Sequence, residues 1–348
     1  MRCWLFIVFF LVGTLAFSGG DFLTSHFYVF PELKDDISPK NGDLPISKLP
    51  TGFVPAGNLV GEGEWGDINV DEIQGITHSD KYWYISAQWR LYKVSRKNFP
   101  KIENQTHLMK VQMKLKNGWY RHFGGIVYHE GLIYVATTGR ENAFTTERAT
   151  PIVVVFDDNL NFVKYAKFPV SVQRGVAWVG VNPVNEKLFS SGPYNKLHEY
   201  ELEFKNGDTL RHIRDYEMVY KNAKLTSAEW GDVPMQGGGF SESGIFYFVL
   251  DMKHCSNNPY TGIHAFTLQN GKAVEFDLPG LNNKGKIKPF ISIEYVGSHG
   301  DDRFWEMEDV TIEKAKDGPE KGIEYLYHLQ LRNGKKDEAR IVKYRLDY

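Results

Sequence analysis

An apolar strand that starts with a glycine recurs four times along the sequence, and a weaker fifth copy follows. This repeat constrains the fold more than any other feature. The repeated position falls at residues 75, 124, 175, 237 and 309, so the steps are 49, 51, 62 and 72 residues. In the fifth and weakest copy, Asp309 stands where the others have glycine. The tetrapeptide Glu-Trp-Gly-Asp also occurs twice, at 64–67 and 229–232, each time ahead of a Gln-Gly start. Such spacing indicates a chain built from repeated units of similar structure.

Within each unit, the residue pattern is that of short β-strands. Runs of alternating apolar and polar residues, rich in Val, Ile, Tyr and Phe, are separated by turn residues. This pattern is typical of antiparallel strands joined by hairpins. In the second unit it predicts strands at 123–129, 132–138, 151–157 and 161–167. The sequence therefore predicts an all-β fold.

The unit length and strand content together predict how the sheets are arranged. Three or four antiparallel strands per unit, repeated five times, indicate a β-propeller with five blades. A strand near Gly52 to Val60 is expected to complete the last blade from the N-terminal side, and it would protect the edge between the first and last blades. A strand-like run within residues 280–300 leaves six blades as the alternative.

A Gly-Gly-Ile or Gln-Gly start, followed by an aromatic and β-branched strand and a turn, resembles the blades of secreted five- or six-bladed β-propellers over residues 53–348. Among enzymes, the pattern is similar to five-bladed calcium-dependent apyrases and six-bladed lactonases of the paraoxonase type. The metal-binding motifs of those enzymes have no residue-by-residue match in this sequence. The resemblance therefore implies the fold and carries over no activity.

The first residues have the features of a secretory signal peptide. Arg2 supplies a positive charge, residues 4–17 are almost all apolar, and Ala16-Phe17-Ser18 places small residues before a cleavage point. The apolar run of about 14 residues is too short for a membrane-spanning helix. The predicted organisation is a signal peptide at 1–18, an extended lead at 19–52 and one propeller domain at 53–348, in a secreted protein.

Cysteine content, charge and a sequon bear on the compartment and the partners. Cys3 would leave with the signal peptide, so Cys255 alone would remain and no internal disulfide could form. Loss of Arg2 would change the formal net charge from −2 to −3, and a nearly neutral chain is not expected to bind nucleic acid through bulk charge. The sequon Asn104-Gln105-Thr106 predicts a glycosylated surface loop.

Polar residues precede all five starts, and we predict that they converge at one mouth of the central channel: Gln74, His122, Arg174, Gln236 and Glu308. Loops between second and third strands would open on the same mouth and add Arg90, Arg140, Tyr194, Asp251 and His254. The three arginines favour an anionic group. The sequence thus predicts a small polar or anionic ligand at this mouth. The alternative interpretation is that these side chains only line a solvated channel end.

Two further functions use the same parts of the chain. An extracellular hydrolase or lyase would use His122 as base, Arg174 to stabilise an anion and Glu308 as acid. A protein partner bound by the rim loops is the other alternative. The sequence has no His-Glu-x-x-His or Cys-x-x-Cys motif, so no metal site is predicted. It has no Gly-x-Ser-x-Gly motif either, which disfavours the serine mechanism of α/β-hydrolases. No cofactor is predicted either, with calcium held by Glu308, Glu72 or Asp309 left open. The glycines at 237–239 are interpreted as close backbone packing at the channel.

Overall fold

Most described residues lie in β-strands and almost none in helices, which confirms the all-β prediction. The computed structural model describes residues 52–55, 60–64, 73–98, 101–115, 120–139, 150–191, 196–219, 235–250, 262–276, 306–332 and 338–347. Its one helix in these ranges, Leu108–Gln112, has five residues. No helix among the described residues is long and apolar enough to cross a membrane.

Two short strands precede the first sheet. They are β1 (Gly52–Pro55) and β2 (Val60–Glu64). Unit one follows as four antiparallel strands paired in chain order: β3 (Ile73–His78), β4 (Tyr82–Ala87), β5 (Arg90–Ser95) and β6 (Ile102–His107). Helix α1 (Leu108–Gln112) comes directly after β6, and its Met109 N–H donates to Nδ1 of His107.

Unit two matches the sequence prediction to within three residues at every strand boundary. Its four antiparallel strands are β7 (Tyr120–His129), β8 (Leu132–Gly139), β9 (Ile152–Asp157) and β10 (Phe162–Lys167). The turn between β7 and β8 has positive φ at Glu130 (49°) and Gly131 (81°). This conformation matches the right-handed twist of the two strands that it joins.

Units three and four are joined through their last strands into one eight-stranded sheet. Unit three contains β11 (Gly180–Asn182), β12 (Lys187–Ser191), β13 (Lys196–Glu201) and β14 (His212–Val219). Unit four contains β15 (Met235–Phe240), β16 (Phe246–Leu250), β17 (Gly262–Gln269) and β18 (Lys272–Phe276). Pairing is antiparallel within each unit, whereas β14 and β18 pair in parallel.

Unit five combines the end of the described chain with its beginning. It contains β19 (Glu306–Lys314), β20 (Glu324–Arg332) and β21 (Glu338–Asp347). Strand β1 pairs with residues 344–347 of β21, and β2 pairs with residues 338–341 of the same strand. The N-terminal edge strand expected near Gly52 to Val60 is therefore two short strands, which cover the two ends of β21.

The first strands of the five units contact one another in a closed cycle: β3 with β7, β7 with β11, β11 with β15, β15 with β19, and β19 with β3. A separate hydrophobic cluster fills each seam between neighbouring units. At the seam of units three and four, the rings of Trp178 and Phe246 stack with centroids 5.4 Å apart. The fold is therefore all-β and β-propeller-like, and Trp178 packs between units as predicted. Trp230 and Trp305 lie outside the described residues.

Unit three begins later than the sequence predicts. The repeat places the start of its inner strand at 174–177, but these residues form no strand, and β11 begins at Gly180. The carbonyl oxygen of Ala177 instead accepts a hydrogen bond from the Gly125 N–H of unit two, at 2.7 Å. Because that carbonyl is engaged by β7, pairing with β12 starts three residues further on.

Candidate functional site

The centre of the ring is occupied by the carboxylate of Asp309, which is fully buried. Its Oδ2 atom accepts hydrogen bonds from the N–H groups of Ile76 at 3.1 Å and Ile126 at 3.4 Å. Its Oδ1 atom accepts from the Val310 N–H at 2.9 Å, and the Gly238 N–H also donates to this carboxylate. One side chain of unit five thus contacts the inner strands of units one, two and four.

Glycine is needed around Asp309 because the inner strands approach so closely. A Cβ atom at Gly237 would lie 2.0 Å from Oδ1 and 2.6 Å from Cα of Asp309. A Cβ atom at Gly125 would lie 2.6 Å from the Cβ atom of Trp178. These distances confirm that the glycines of 237–239 serve close packing. Gly175 differs, since a Cβ atom there would meet nothing within 4 Å beyond the adjacent residues of the chain.

The surroundings of Asp309 bear on the calcium alternative. Burial raises the pKa of Asp309 well above its usual range, and the backbone N–H groups act in the opposite direction. Calcium is bound by oxygen atoms that point at the ion. Both carboxylate oxygens of Asp309 are instead hydrogen-bonded to N–H donors, so its contacts do not fit a calcium ligand. Glu308 is also buried, and Glu72 lies outside the described residues.

A cavity of about 310 Å³ opens directly above Asp309, at the ends of the inner strands. Ile126, Gly238 and Val310, whose N–H groups bind Asp309, line it, so they and the carboxylate beneath form a floor. All five inner strands or the turns that follow them contribute to this axial cavity, through residues 77–80, 126–130, Val181, Pro183, 238–240, Glu242, 310–314 and Lys316. It lies at the end of the channel opposite to the predicted mouth.

A charged pair is built into one wall of the axial cavity. Arg96 of unit one donates from both Nη atoms to the two carboxylate oxygens of Glu313 in unit five, each at 2.7 Å. The Tyr327 hydroxyl donates to Glu313 Oε2 at 2.8 Å. Burial raises the pKa of Glu313, but these hydrogen bonds and the Arg96 charge outweigh it and bring the pKa to about 2. Glu313 is therefore ionised at neutral pH.

The same wall contains a histidine. His78 Nε2 lies 3.3 Å from the Ile312 carbonyl oxygen, and the His78 ring meets the Trp83 ring edge-on. Burial lowers the pKa of His78 below its ordinary value, although the Glu313 charge acts in the opposite direction. His78 is accordingly neutral at pH 7, and its Nε2 atom is the ring nitrogen at hydrogen-bond distance from the Ile312 carbonyl oxygen.

The rim of the axial cavity is polar and carries both signs of charge. Lys316 pairs with Asp80 at 2.8 Å, and Lys314 pairs with Glu242 at 3.3 Å. Glu130 is exposed and has no ion-pair partner in the described ranges. Beside it, the buried Nε2 atom of His129 has no hydrogen-bond partner among the residues that the structure describes. The rim therefore offers hydrogen-bonding groups that the described chain leaves unused.

Three residues of the predicted mouth occupy equivalent positions. Gln74, Gln236 and Glu308 each sit at a β-bulge, one residue before Gly75, Gly237 and Asp309 respectively. A bulge inserts one extra residue and redirects its side chain. Gln74 and Gln236 are partly exposed, whereas Glu308 is buried. These three residues thus occupy matching positions near the starts of their inner strands, and none of them lines the axial cavity.

The remaining described candidates do not share that position. The N–H groups of Ile76 and Ile126 both donate to Oδ2 of Asp309, so these two residues are equivalent in units one and two. Gln74 lies two residues before Ile76, and its counterpart in unit two is therefore Gly124. His122 lies two residues before that point, opposite Thr138. Arg174 is exposed in the irregular segment before β11. Arg90 is the first residue of β5, just after the loop from β4, and lies opposite His107 of β6 in the strand register. None of these three residues lines the axial cavity.

Four predicted site residues, Arg140, Tyr194, Asp251 and His254, lie outside the described residues. The sequon is described, and it differs from the expected loop. Asn104 is exposed but lies within β6, opposite Lys93, because 102–107 pairs with β5 as an outer strand. Its Nδ2 atom donates to the Asn159 carbonyl oxygen at 2.6 Å.

One group of potential metal ligands is not evident from the sequence. His198 Nδ1 lies 2.8 Å and His212 Nε2 lies 2.7 Å from Oδ1 of Asp215. The three ligand atoms all lie within 4.8 Å of one another. The His-x-x-Asp spacing of 212–215 is visible in the sequence. The sequence does not show that His212 and Asp215 come together, because residues three apart on a regular strand point to opposite faces.

Comparison with known proteins gives structural likeness without a family. No family model matches the chain, and no curated protein matches it. An N11 neuraminidase-like protein of A/flat-faced bat/Peru/033/2010 (H18N11) is similar at 11% identity and a TM-score of 0.45, over 87% of this chain and 95% of that one. The β-propeller domain of Myceliophteria thermophila Cps50 (Swd1) is similar at 7% identity and a TM-score of 0.34, over 78% and 83%.

A third similar structure is the tail fibre of Staphylococcus aureus phage P68, at 14% identity and a TM-score of 0.46. The likeness covers 82% of this chain but only 52% of the tail fibre, so the chain spans about half of that protein. All three TM-scores are below 0.5, and the likenesses are correspondingly coarse.

Proposed function

We propose that the chain is a five-bladed β-propeller whose last blade is completed by β1 and β2. Two features support five blades over six. The inner strands β15 and β19 contact each other directly, which leaves no gap for a sixth inner strand between units four and five, where residues 280–300 fall in the sequence. A hydrophobic cluster containing Tyr247 and Val310 also fills that seam. A sixth blade would have to come from residues 280–300, which lie outside the described residues.

We propose that this propeller binds a small polar ligand in the axial cavity. The observation that carries the proposal is a concave space lined from all five inner strands and floored by the backbone that binds Asp309. Because the floor is sealed by hydrogen-bonded backbone, the channel is a pocket at this end. A volume of about 310 Å³ suits a small molecule, at the lower limit of typical ligand pockets.

The charges around the axial cavity favour a neutral or cationic ligand over an anion. Asp80, Glu242 and Glu313 are each matched by a basic partner. Glu130 remains as an additional negative charge at the rim. The expectation of an anionic ligand rests on Arg90, Arg140 and Arg174. Arg90 and Arg174 do not line this cavity, and Arg140 lies outside the described residues. We therefore propose a neutral or cationic polar ligand at this end of the channel, opposite to the mouth predicted from sequence.

A thermal-shift screen tests this proposal. The purified protein is heated with neutral sugars, small amines, carboxylates, nucleotides and lactones. We expect neutral or cationic compounds to raise Tm, since a ligand that binds only the folded state stabilises it by mass action. The ligand-induced rise in Tm should be smaller in His129→Phe, which removes the unpartnered ring nitrogen. If the ligand is cationic, the rise should also be smaller in Glu130→Gln.

Glu186→Gln is the matched control for Glu130→Gln. Glu186 occupies the corresponding turn of unit three, is likewise exposed with positive φ (53°), and does not line the axial cavity. It should leave the ligand shift unchanged. A panel without any shift, or shifts that survive both His129→Phe and Glu130→Gln, would overturn the proposal. Turnover of a compound would support the hydrolase or lyase alternative only if it is lost on substitution of His122, which does not line the axial cavity.

A further inference from the structure

A β-bulge brings three metal-type ligands onto one face of the hairpin formed by β13 and β14. His198 lies opposite Asp215, and Glu199 lies opposite Arg214 on the other face. The register then shifts by one residue, so that Tyr200 lies opposite His212. Ile213 is the extra residue, and its insertion turns His212 to the same face as His198 and Asp215.

The donor set suits a divalent transition metal ion. Two imidazole nitrogens and one carboxylate are ligands that zinc and its neighbours accept, at about 2.0–2.2 Å in the case of zinc. Ligands at that distance from one ion lie about 3.0 Å from each other in an octahedral arrangement and about 3.4 Å in a tetrahedral one. The N···O separations of 2.8 and 2.7 Å are shorter than these values by about 0.2–0.7 Å. Small rotations of the side chains would therefore admit an ion.

The environment also holds the ligands in place. The Tyr200 ring packs against both histidine rings, with centroids 5.5 Å from His212 and 6.4 Å from His198. Its hydroxyl is fixed by a 2.6 Å hydrogen bond to Gln173 Oε1.

Access and charge set limits on such a site. The His198 side chain is 5% exposed, but His212 and Asp215 are 27% and 33% exposed, so one side of the group faces solvent. Lys196 Nζ lies 3.2 Å from Asp215 Oδ2, and its positive charge opposes a cation there. Three protein ligands with a solvent-facing side are the arrangement of an exchangeable site, in contrast to a closed structural one.

We propose that His198, His212 and Asp215 form a binding site for a divalent transition metal ion, with Zn²⁺ as the best fit. The site lies in unit three, away from the axial cavity, and it does not depend on the ligand proposed there. Its competing interpretation is a hydrogen-bonded His-Asp-His group without metal.

The test is titration of chelator-stripped, purified protein with Zn²⁺ by isothermal titration calorimetry, with Co²⁺ absorption as a second readout. We expect one ion per chain at this site. His212→Gln and Asp215→Asn should each weaken Zn²⁺ binding at least tenfold. His212 is partly exposed, so its variant keeps the test valid if Asp215→Asn fails to fold. Lys196→Met should tighten binding, because it removes the opposing charge.

His264→Gln, in β17 of unit four and outside the axial cavity, serves as the histidine control and should bind Zn²⁺ as the unchanged protein does. Absence of stoichiometric binding would overturn the inference in favour of the hydrogen-bonded group. Zn²⁺ binding that is unaffected by His212→Gln would overturn it too, since the ion would then bind elsewhere. A ligand screen that fails while Zn²⁺ binds would count against the axial-cavity proposal alone.

Discussion

Replacing Glu313 with glutamine tests how strongly the seam between units one and five depends on a single charged pair. Glu313 accepts two hydrogen bonds from Arg96 and one from Tyr327, and both charged side chains are about four-fifths buried. Arg96 also lies over the Trp83 ring, 4.5 Å from its centroid. Glutamine preserves the shape of the side chain and removes its charge.

The pKa of Glu313 gives the size of the expected effect. It falls from 4.5 to about 2 on folding, because the hydrogen bonds from Arg96 and Tyr327, together with the charges of His78 and Arg96, outweigh the effect of burial. At about 1.4 kcal/mol per pKa unit, the ionised form contributes about 3 kcal/mol to the free energy of unfolding. Since the folded pKa is depressed, this contribution is complete above the unfolded pKa of 4.5 and is lost as the pH falls toward 2.

Urea unfolding followed by tryptophan fluorescence measures the effect at pH 7, 5, 4 and 3. We expect Glu313→Gln to cost about 2–3 kcal/mol at pH 7, somewhat below the full value because the amide oxygen still accepts a hydrogen bond. The difference between variant and unchanged protein should shrink steadily below pH 5. Trp83 touches the pair and reports on the same region.

Asp80→Asn is the matched control. Asp80 pairs with Lys316 at the rim of the same cavity, but the two side chains are 71% and 67% exposed. An exposed pair contributes less than about 1 kcal/mol. A Glu313→Gln cost no larger than that of Asp80→Asn, or a difference that stays constant down to pH 3, would refute the reasoning.

Two further predictions concern the glycines and the sequon. Gly237→Ala should cost more than about 3 kcal/mol or prevent folding, because its Cβ would meet Asp309 at 2.0 Å, while Gly175→Ala, with open space around it, should change the free energy of unfolding by less than about 0.5 kcal/mol. Equal costs in a denaturant titration would contradict the close-packing role. If the protein is secreted, N-terminal sequencing of the secreted form should begin at residue 19, and an N-terminus at Met1 would count against the signal peptide. If Asn104 is glycosylated, Asn104→Gln should have the gel mobility of the enzymatically deglycosylated protein, and a mobility unchanged by the substitution would count against a glycan there.

The parts of the fold that sequence predicts well are those set by local pattern. The strands of unit two follow from alternation and from turns such as Glu130-Gly131, which act over a few residues. The start of unit three is misplaced by the sequence pattern because Gly175 resembles the other glycines in its local context. What decides the strand boundary there is the contact between Ala177 and Gly125, 52 residues away along the chain.

The candidate site divides along the same line. Gln74, Gln236 and Glu308 can be identified from sequence because each precedes a close-packed position, which is a local signal. The axial cavity cannot, because its walls depend on pairs that are distant in sequence, such as Arg96 with Glu313 at a separation of 217 residues. In sequence, Asp309 resembles a weaker copy of a glycine position, whereas its carboxylate fills the space that glycines elsewhere in the ring leave open.

The pairing of β1 and β2 with β21 also has a consequence for the order in which the protein folds. Gly52 lies opposite Asp347, and Val60 lies opposite Ile341, so these partners are separated by 295 and 281 residues. The strands within each of the first four units are neighbours in sequence and can form hairpins early. Contacts of such long range form slowly, because the intervening chain must first be brought into place. We therefore expect the N-terminal strands to dock last, and refolding to populate an open ring whose two unpaired edges are its most aggregation-prone surface.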